Sequence, residues 1–216
     1  MSSTKRTVYL VRHGQSEHNV APVFQSPDAP LSPEGSRQAE YIAERISRLS
    51  FQALIASPFP RASKTAEAIA RATGKQPELS ELFVERLKPT RINGKPFTDA
   101  EADAVWRQWE RSLYTPGLRV EDGENFDDLV ARADAALAYL TARTEPALVV
   151  VTHGYFLRTV LARVLLGDLL NGELFRHLHG HASTENTGIT VLKLRASHAE
   201  PPRWRLWTYN DHAHLG

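Results

Sequence analysis

The chain has 216 residues, of which 42% are hydrophobic and 24% charged, enough for one well-cored domain and too few for three. Its 26 basic and 25 acidic side chains leave a formal charge of +1, so global charge points to neither a nucleic acid nor a membrane surface as partner. With no cysteine, disulfides, thiolate nucleophiles and cysteine-based zinc sites are excluded, which fits a reducing compartment. The opening MSSTKRTVYLVRHG holds no apolar run of signal-peptide length, and no stretch approaches the length of a membrane span, so the chain is expected to be cytoplasmic.

Thr7 to Val11 is a β-branched and aromatic run that stops at Arg12, His13 and Gly14, as a buried strand feeding a loop does. The Pro- and Ser-rich stretch APVFQSPDAPLSPEG is expected to be irregular. A helix then opens with Ser32 as N-cap and Pro33 at its first position, and Ala39, Ile42, Ala43, Ile46 and Leu49 form its apolar stripe. FQALIAS is a second strand ending at Ser57. Pro58, Phe59 and Pro60 break it, and a helix from Arg61 to about Thr73 is closed by Gly74.

Residues 75–85 hold a short strand. From about 86 to 122, prolines punctuate a weak pattern with one helical fragment, 100–113, read as a lid-like insertion over one end of the sheet. A strong amphipathic helix spans Asn125 to Arg143, with Asn125 as N-cap and Asp127 and Asp128 in its first turn. ALVVVT is a strand suited to burial on both faces. It ends in His153 and Gly154, and an apolar helix runs on to about Leu166. GITVLKLR and RWRLWTYN alternate as a closing hairpin. The strand–helix alternation implies a single domain over 1–216 of α/β class, a three-layer α/β/α sandwich on a mainly parallel sheet.

Three strands end in polar clusters: Arg12-His13-Gly14, Ser57-Pro58 leading to Arg61, and His153-Gly154. In open α/β sheets ligands bind outside the carboxyl ends of the strands, so parallel strands would bring two histidines and two arginines into one pocket. Guanidinium forks suit phosphate oxygens, a neutral imidazole is a competent phosphoryl acceptor, and positioning with charge neutralisation is most of what phosphoryl transfer needs.

RHGQSEHN, with Arg12, His13, Gly14, Gln15, Ser16 and Asn19, resembles the signature of the histidine phosphatase superfamily, which includes the cofactor-dependent phosphoglycerate mutases. PLSPEGSRQAE, SPFPRASKTAEAI, DGEN and VVVTHG resemble its later blocks in order, so the likeness runs over about 7–195. The resemblance implies that His13 is the nucleophile, that Arg12, Arg61 and His153 surround the phosphoryl oxygens, and that Asn19 adds a hydrogen bond. It implies that Glu85 is the acid that protonates the leaving oxygen and later activates water. Gly14 would let the backbone approach the phosphate.

Gln15 and Glu124 are further candidate substrate contacts, the first with a turn-closing role as its alternative, the second with a helix-terminus charge. Two departures from the family pattern matter. Gly123-Glu124-Asn125 stands where Gly-Glu-Ser is common, and the glycine after the acid is delayed to Gly94, which leaves Glu81 as a competitor of Glu85.

The resulting expectation is a metal- and cofactor-independent phosphatase acting on a small phosphorylated metabolite through a phosphohistidine, with a symmetric homodimer as default assembly. Mutase-type transfer at the same site and a non-catalytic phosphate sensor are the alternatives. A metal hydrolase would need the late histidines: His177, His179 and His181 would share a strand face, with His212 and His214 repeating the spacing, against the plainer reading of solvated loop side chains. Arg86, Lys88, Arg91 and Lys95 form a basic run in the insertion, expected to favour substrates with extra negative charge.

Overall fold

The computed structural model describes residues 3–196 and 202–216. Six strands form one mixed sheet: β1 (Ser3–Arg12), β2 (Ala53–Ala56), β3 (Pro77–Leu79), β4 (Ala147–Thr152), β5 (Ile189–Ala196) and β6 (Arg203–Asp211), in the spatial order β3-β2-β4-β1-β5-β6. The first four are mutually parallel, while β5 and β6 close the other edge antiparallel, as the alternation in GITVLKLR and RWRLWTYN predicts.

Period-two alternation in the central strands divides the core between two faces. Val8, Leu10, Ile55, Leu148 and Val150 pack on one face beneath α5 (Phe126–Ala142) and α6 (Gly154–Leu166). Val11, Leu54, Ala56, Val149 and Val151 pack on the other beneath α2 (Pro33–Ser47) and α3 (Pro60–Thr73). The result is the expected three layers, and β4 is apolar on both sides because both are covered.

Local signals set the helix ends. Ser32 Oγ accepts from Gly35 N at 3.0 Å, Asn125 Oδ1 accepts from Asp128 N at 3.0 Å, and Gly74 ends α3 in the left-handed region at φ 70°.

Two helices lie outside the expected pattern, and a third is the one expected in the insertion. A single turn, α1 (Glu17–Val20), follows the RHG loop, capped by the Ser16–Asn19 box. The helical fragment of the insertion is α4 (Ala100–Arg111), whose Ala102, Val105 and Trp109 form a small separate cluster with Phe24, Ile92 and Val120. The late histidines sit on α7 (Gly172–His181), not on a strand or loop: Asn171 caps it and Phe175 anchors it. At helical pitch His179 turns inward against Tyr155 and Phe175, while His177 and His181 stack on the outside with ring centres 4.3 Å apart. His212 follows β6, and His214 reaches back to Arg45 and Thr187. Among the described residues no three His, Cys, Asp or Glu side chains are grouped to hold a metal ion, and no helix is long and apolar enough to cross a membrane.

Candidate active site

Register brings the three strand ends level. Val151 of β4 pairs with Val11 of β1 on one side and with Ala56 of β2 on the other, so His13, Ser57 and His153 emerge together at the carboxyl edge. Two ladder bonds extend past the strands to hold them there, His13 N to Thr152 O and Ser57 N to Val151 O, each 2.9 Å. The His13 and His153 rings meet edge to face at 4.9 Å, both almost wholly buried.

The His13 tautomer follows from its partners. Nδ1 lies 2.6 Å from Gly14 O, and a carbonyl only accepts, so Nδ1 carries the proton. Nε2 is left with its lone pair and accepts from Arg61 Nε at 3.2 Å. Burial, reinforced by Arg61 and Arg12, holds this imidazole well below its ordinary pKa, so it is neutral near pH 7. His153 is pushed the same way, by burial first and then by Arg61. Its Nε2 is 2.8 Å from Ser57 Oγ, and its buried Nδ1 has no partner in the protein. Ser57 Oγ accepts from Phe59 N at 3.3 Å, so its own proton is free to go to His153 Nε2, and Nδ1 is then an N–H without a partner in the protein.

Arg61 enters from the first turn of α3, started by Pro60 at the first helical position. It is 1% exposed, and its Nη1 donates to the carbonyls of Ser26 and Pro27, at 3.2 and 3.0 Å. Burial lowers it to about 10, which leaves it charged at neutral pH. Arg12 runs beside Gly154, where a Cβ would come within 3.2 Å of its Nε; that glycine makes room for the guanidinium. Arg12 Nη1 donates to Thr184 O, and its buried Nε has no protein partner. Two orphaned buried donors, Arg12 Nε and His153 Nδ1, thus flank His13, an arrangement that an anionic ligand satisfies.

Glu85 enters the same pocket, and Glu81 is exposed on a 3-10 turn outside it. Its carboxylate accepts from Tyr155 N (3.2 Å) and Phe156 N (3.0 Å), in the first turn of α6, and from Arg86 N (3.0 Å). The pocket has a volume of about 110 Å³ and is lined by Gln25, Phe59, Arg61, Glu85, Lys88 and Asn93 among others.

Four further candidate contacts make bonds or close contacts within the protein. Asn19 is exposed and accepts from Ser16 N at 2.9 Å, closing the turn into α1. Gln15 accepts from Ser32 Oγ at 2.8 Å, tying the loop to the start of α2. Glu124 gives its oxygens to Arg132, each at 2.7 Å, and to Leu87 N at 2.8 Å, because a carboxylate beside a fixed guanidinium and a free N–H is satisfied there. Gly14 is small for the sake of the protein: a Cβ there would overlap Gly35 O and lie 3.1 Å from Gly35 C.

Of the basic run, Arg91 pairs with Glu121, Lys95 stands 4.0 Å from Asp99, and buried Arg86 lies over Trp109 and pairs with Glu110; Lys88 and Arg86 line the pocket. Missed altogether was the loop before β5, where Asn186 Nδ2 donates to His13 O at 2.9 Å and Thr184 receives Arg12. Its only signal is a run of side-chain donors and acceptors, Ser183 to Asn186, ahead of a strand.

Known proteins resemble this chain in sequence and in fold. The profile of the histidine phosphatase superfamily (branch 1) matches residues 8–208. A probable phosphoglycerate mutase GpmB of Photorhabdus laumondii is 35% identical, over 96% of this chain and 94% of its own length, and one of Proteus mirabilis is 36% identical over 73% and 74%. The mycobacterial glucosyl-3-phosphoglycerate phosphatase complexed with VO3 superposes with a TM-score of 0.74 at 25% identity, covering 95% of this chain and 99% of that one. The Entamoeba histolytica phosphoserine phosphatase shares the fold, with a TM-score of 0.74 at 23% identity over 97% and 99%.

Proposed function

Since the chain belongs to the histidine phosphatase superfamily, branch 1, we propose that it hydrolyses phosphate monoesters of small metabolites through a phosphohistidine at Nε2 of His13. The observation that carries this reading is the Nδ1–H bond of His13 to Gly14 O, which leaves a neutral, lone-pair Nε2 between buried cations.

In the first step Nε2 attacks phosphorus. The P–N bond forms, the P–O bond to the leaving group breaks, and the departing oxygen takes the proton that Glu85 carries by entering the step as its carboxylic acid. Arg12, Arg61 and the Nδ1–H of His153 neutralise the equatorial oxygens, which is where charge spreads in the transition state. In the second step a water gives its proton back to Glu85 and its oxygen attacks phosphorus. The P–N bond breaks, inorganic phosphate leaves, and His13 is neutral again. Guanidinium and imidazole groups do the charge neutralisation, so the reaction is expected to persist in EDTA.

A second reading is favoured by the names of the curated relatives, probable phosphoglycerate mutases, in which the same phosphohistidine would return its phosphoryl group to the substrate. The test is turnover of p-nitrophenyl phosphate in EDTA by wild type and His13→Ala, with the reaction trapped in acid and in base. Turnover in wild type alone, with a phosphoenzyme stable to base and labile to acid, is expected. Near-normal turnover by His13→Ala would remove the assignment. Interconversion of phosphoglycerates that depends on a bisphosphate primer and outruns hydrolysis would favour the mutase.

A further inference from the structure

Lys88 is the one member of the basic run whose charge is left for a ligand. Arg91 and Arg86 are paired with Glu121 and Glu110, and Lys95 stands by Asp99. Among the described residues no carboxylate lies within 4.0 Å of Lys88 Nζ, whose hydrogen-bond partner is the carbonyl of Gln25. A half-buried ammonium without a carboxylate is unfavourable in an empty fold, and native structures accept the arrangement where a ligand completes it.

The residue is also held in place. Leu87 before it exchanges two bonds with Glu124, N to Oε2 and O from N, both 2.8 Å, and Glu124 is clamped by Arg132 of α5. Pro89 after it packs where a Cβ on Gly123 would come within 2.7 Å of its ring. Arg86, stacked 3.5 Å over Trp109, fixes the other end of the segment. A lysine between such neighbours presents its ammonium at a set place in the pocket that also holds Arg61 and Glu85. Nearby, the buried Oδ1 of Asn93 has no partner in the protein and faces the same pocket as an unused acceptor.

The charges on that pocket divide by commitment. Glu85 is occupied by three backbone N–H groups, and Asp122 by the N–H and hydroxyl of Thr90. Burial, with Arg61 and Arg86 adding to it and Glu85 opposing, lowers Lys88 to about 8. It remains mostly charged at neutral pH, and a bound anion would raise it again.

We infer that Lys88 reads a second anionic group on the leaving-group side of the substrate, so that the preferred substrates are phosphate monoesters carrying a carboxylate or further phosphate near the ester. The inference rests on the phosphate-site reading above and assigns its specificity to one residue. The phosphoryl group lies against His13, Arg12 and Arg61, the second anion against Lys88 Nζ, and a neighbouring hydroxyl or amine donates to Asn93 Oδ1.

The test is calorimetric binding of two stable phosphonates that differ in the remote anion, 3-phosphonopropionate and propylphosphonate. Wild type is expected to prefer 3-phosphonopropionate by about tenfold or more, the range of a charge-assisted hydrogen bond. Lys88→Met should reduce that preference to within about twofold while leaving propylphosphonate affinity unchanged, Lys88→Arg should retain it, and Arg91→Ala with Lys95→Ala should not alter it. No preference in wild type, or an equal loss for both ligands in Lys88→Met, overturns the inference. Selectivity without hydrolysis of any ester would remove the phosphatase reading and leave Lys88 its role. A protein that binds neither phosphonate overturns both.

Discussion

Gly35→Ala sets helix propensity against packing, and the two predict opposite signs. Gly35 lies in the first turn of α2, where replacing glycine by alanine is worth up to about 1 kcal/mol in favour of the helix. A Cβ at that position, however, would overlap Gln15 O and stand 2.8 Å from Gln15 C and 2.9 Å from Gln15 N. These are backbone atoms of the loop that carries His13, and no rotamer change relieves the contact. Overpacking costs about 1–3 kcal/mol, and backbone against backbone belongs at the upper end, so the net destabilisation is about 2 kcal/mol.

For a chain of this size that is a fall in Tm of about 4–8 °C. The loop must also retreat, and displacing His13, the proposed nucleophile, by about 1 Å is expected to lower kcat by about a hundredfold. Urea and thermal melts measure the first, and turnover of p-nitrophenyl phosphate the second. Gly180→Ala is the control: it lies in α7, where an added Cβ would meet nothing within 4 Å, and should be neutral or slightly stabilising with full activity. A Gly35→Ala protein as stable and active as wild type would refute the claim that this glycine pair seats the His13 loop.

Ser57→Ala removes the hydroxyl 2.8 Å from His153 Nε2 and frees the ring to change tautomer. We expect a loss of about 1–2 kcal/mol in urea melts and a tenfold or larger fall in kcat with KM little changed, roughly the effect of a lost orienting bond; kcat within about twofold of wild type would deny Ser57 that role. His13 and His153 both titrate below the ordinary imidazole value in the fold. Below about pH 6.5 the unfolded chain therefore binds protons that the folded chain does not, and stability is full above that pH and falls as pH drops toward the folded values, by up to about 1.4 kcal/mol per pH unit for each histidine. His13→Ala should flatten the pH dependence of the unfolding free energy between about pH 7 and 5.5 by up to that slope. An unchanged slope would mean that His13 is charged in the fold.

Much of the site was legible because it is built from strand ends. A β-branched run that stops at a polar residue announces both the strand and the residue it delivers, and parallel pairing sets His13, Ser57 and His153 level. Arg61 was legible for a related reason: the Pro58–Pro60 break fixes where α3 begins and so which turn faces the pocket. Glu85 over Glu81 was not decided by spacing. Only the fold brings Glu85, rather than Glu81, to the pocket: the first turn of α6, some 70 residues away in the chain, receives its carboxylate.

The sequence by itself determined the layers, the central strands and the histidine–arginine constellation, because periodicity and strand termination are local properties that any packing must respect. Tertiary structure alone decided which polar side chains are committed elsewhere. Asn19 and Gln15 went to turns, Glu124 to Arg132, Arg86 to Glu110, and Lys88 was left for the pocket. A side chain's availability depends on partners distant in sequence, and hydrogen bonds and ion pairs are made wherever the fold brings donor and acceptor together.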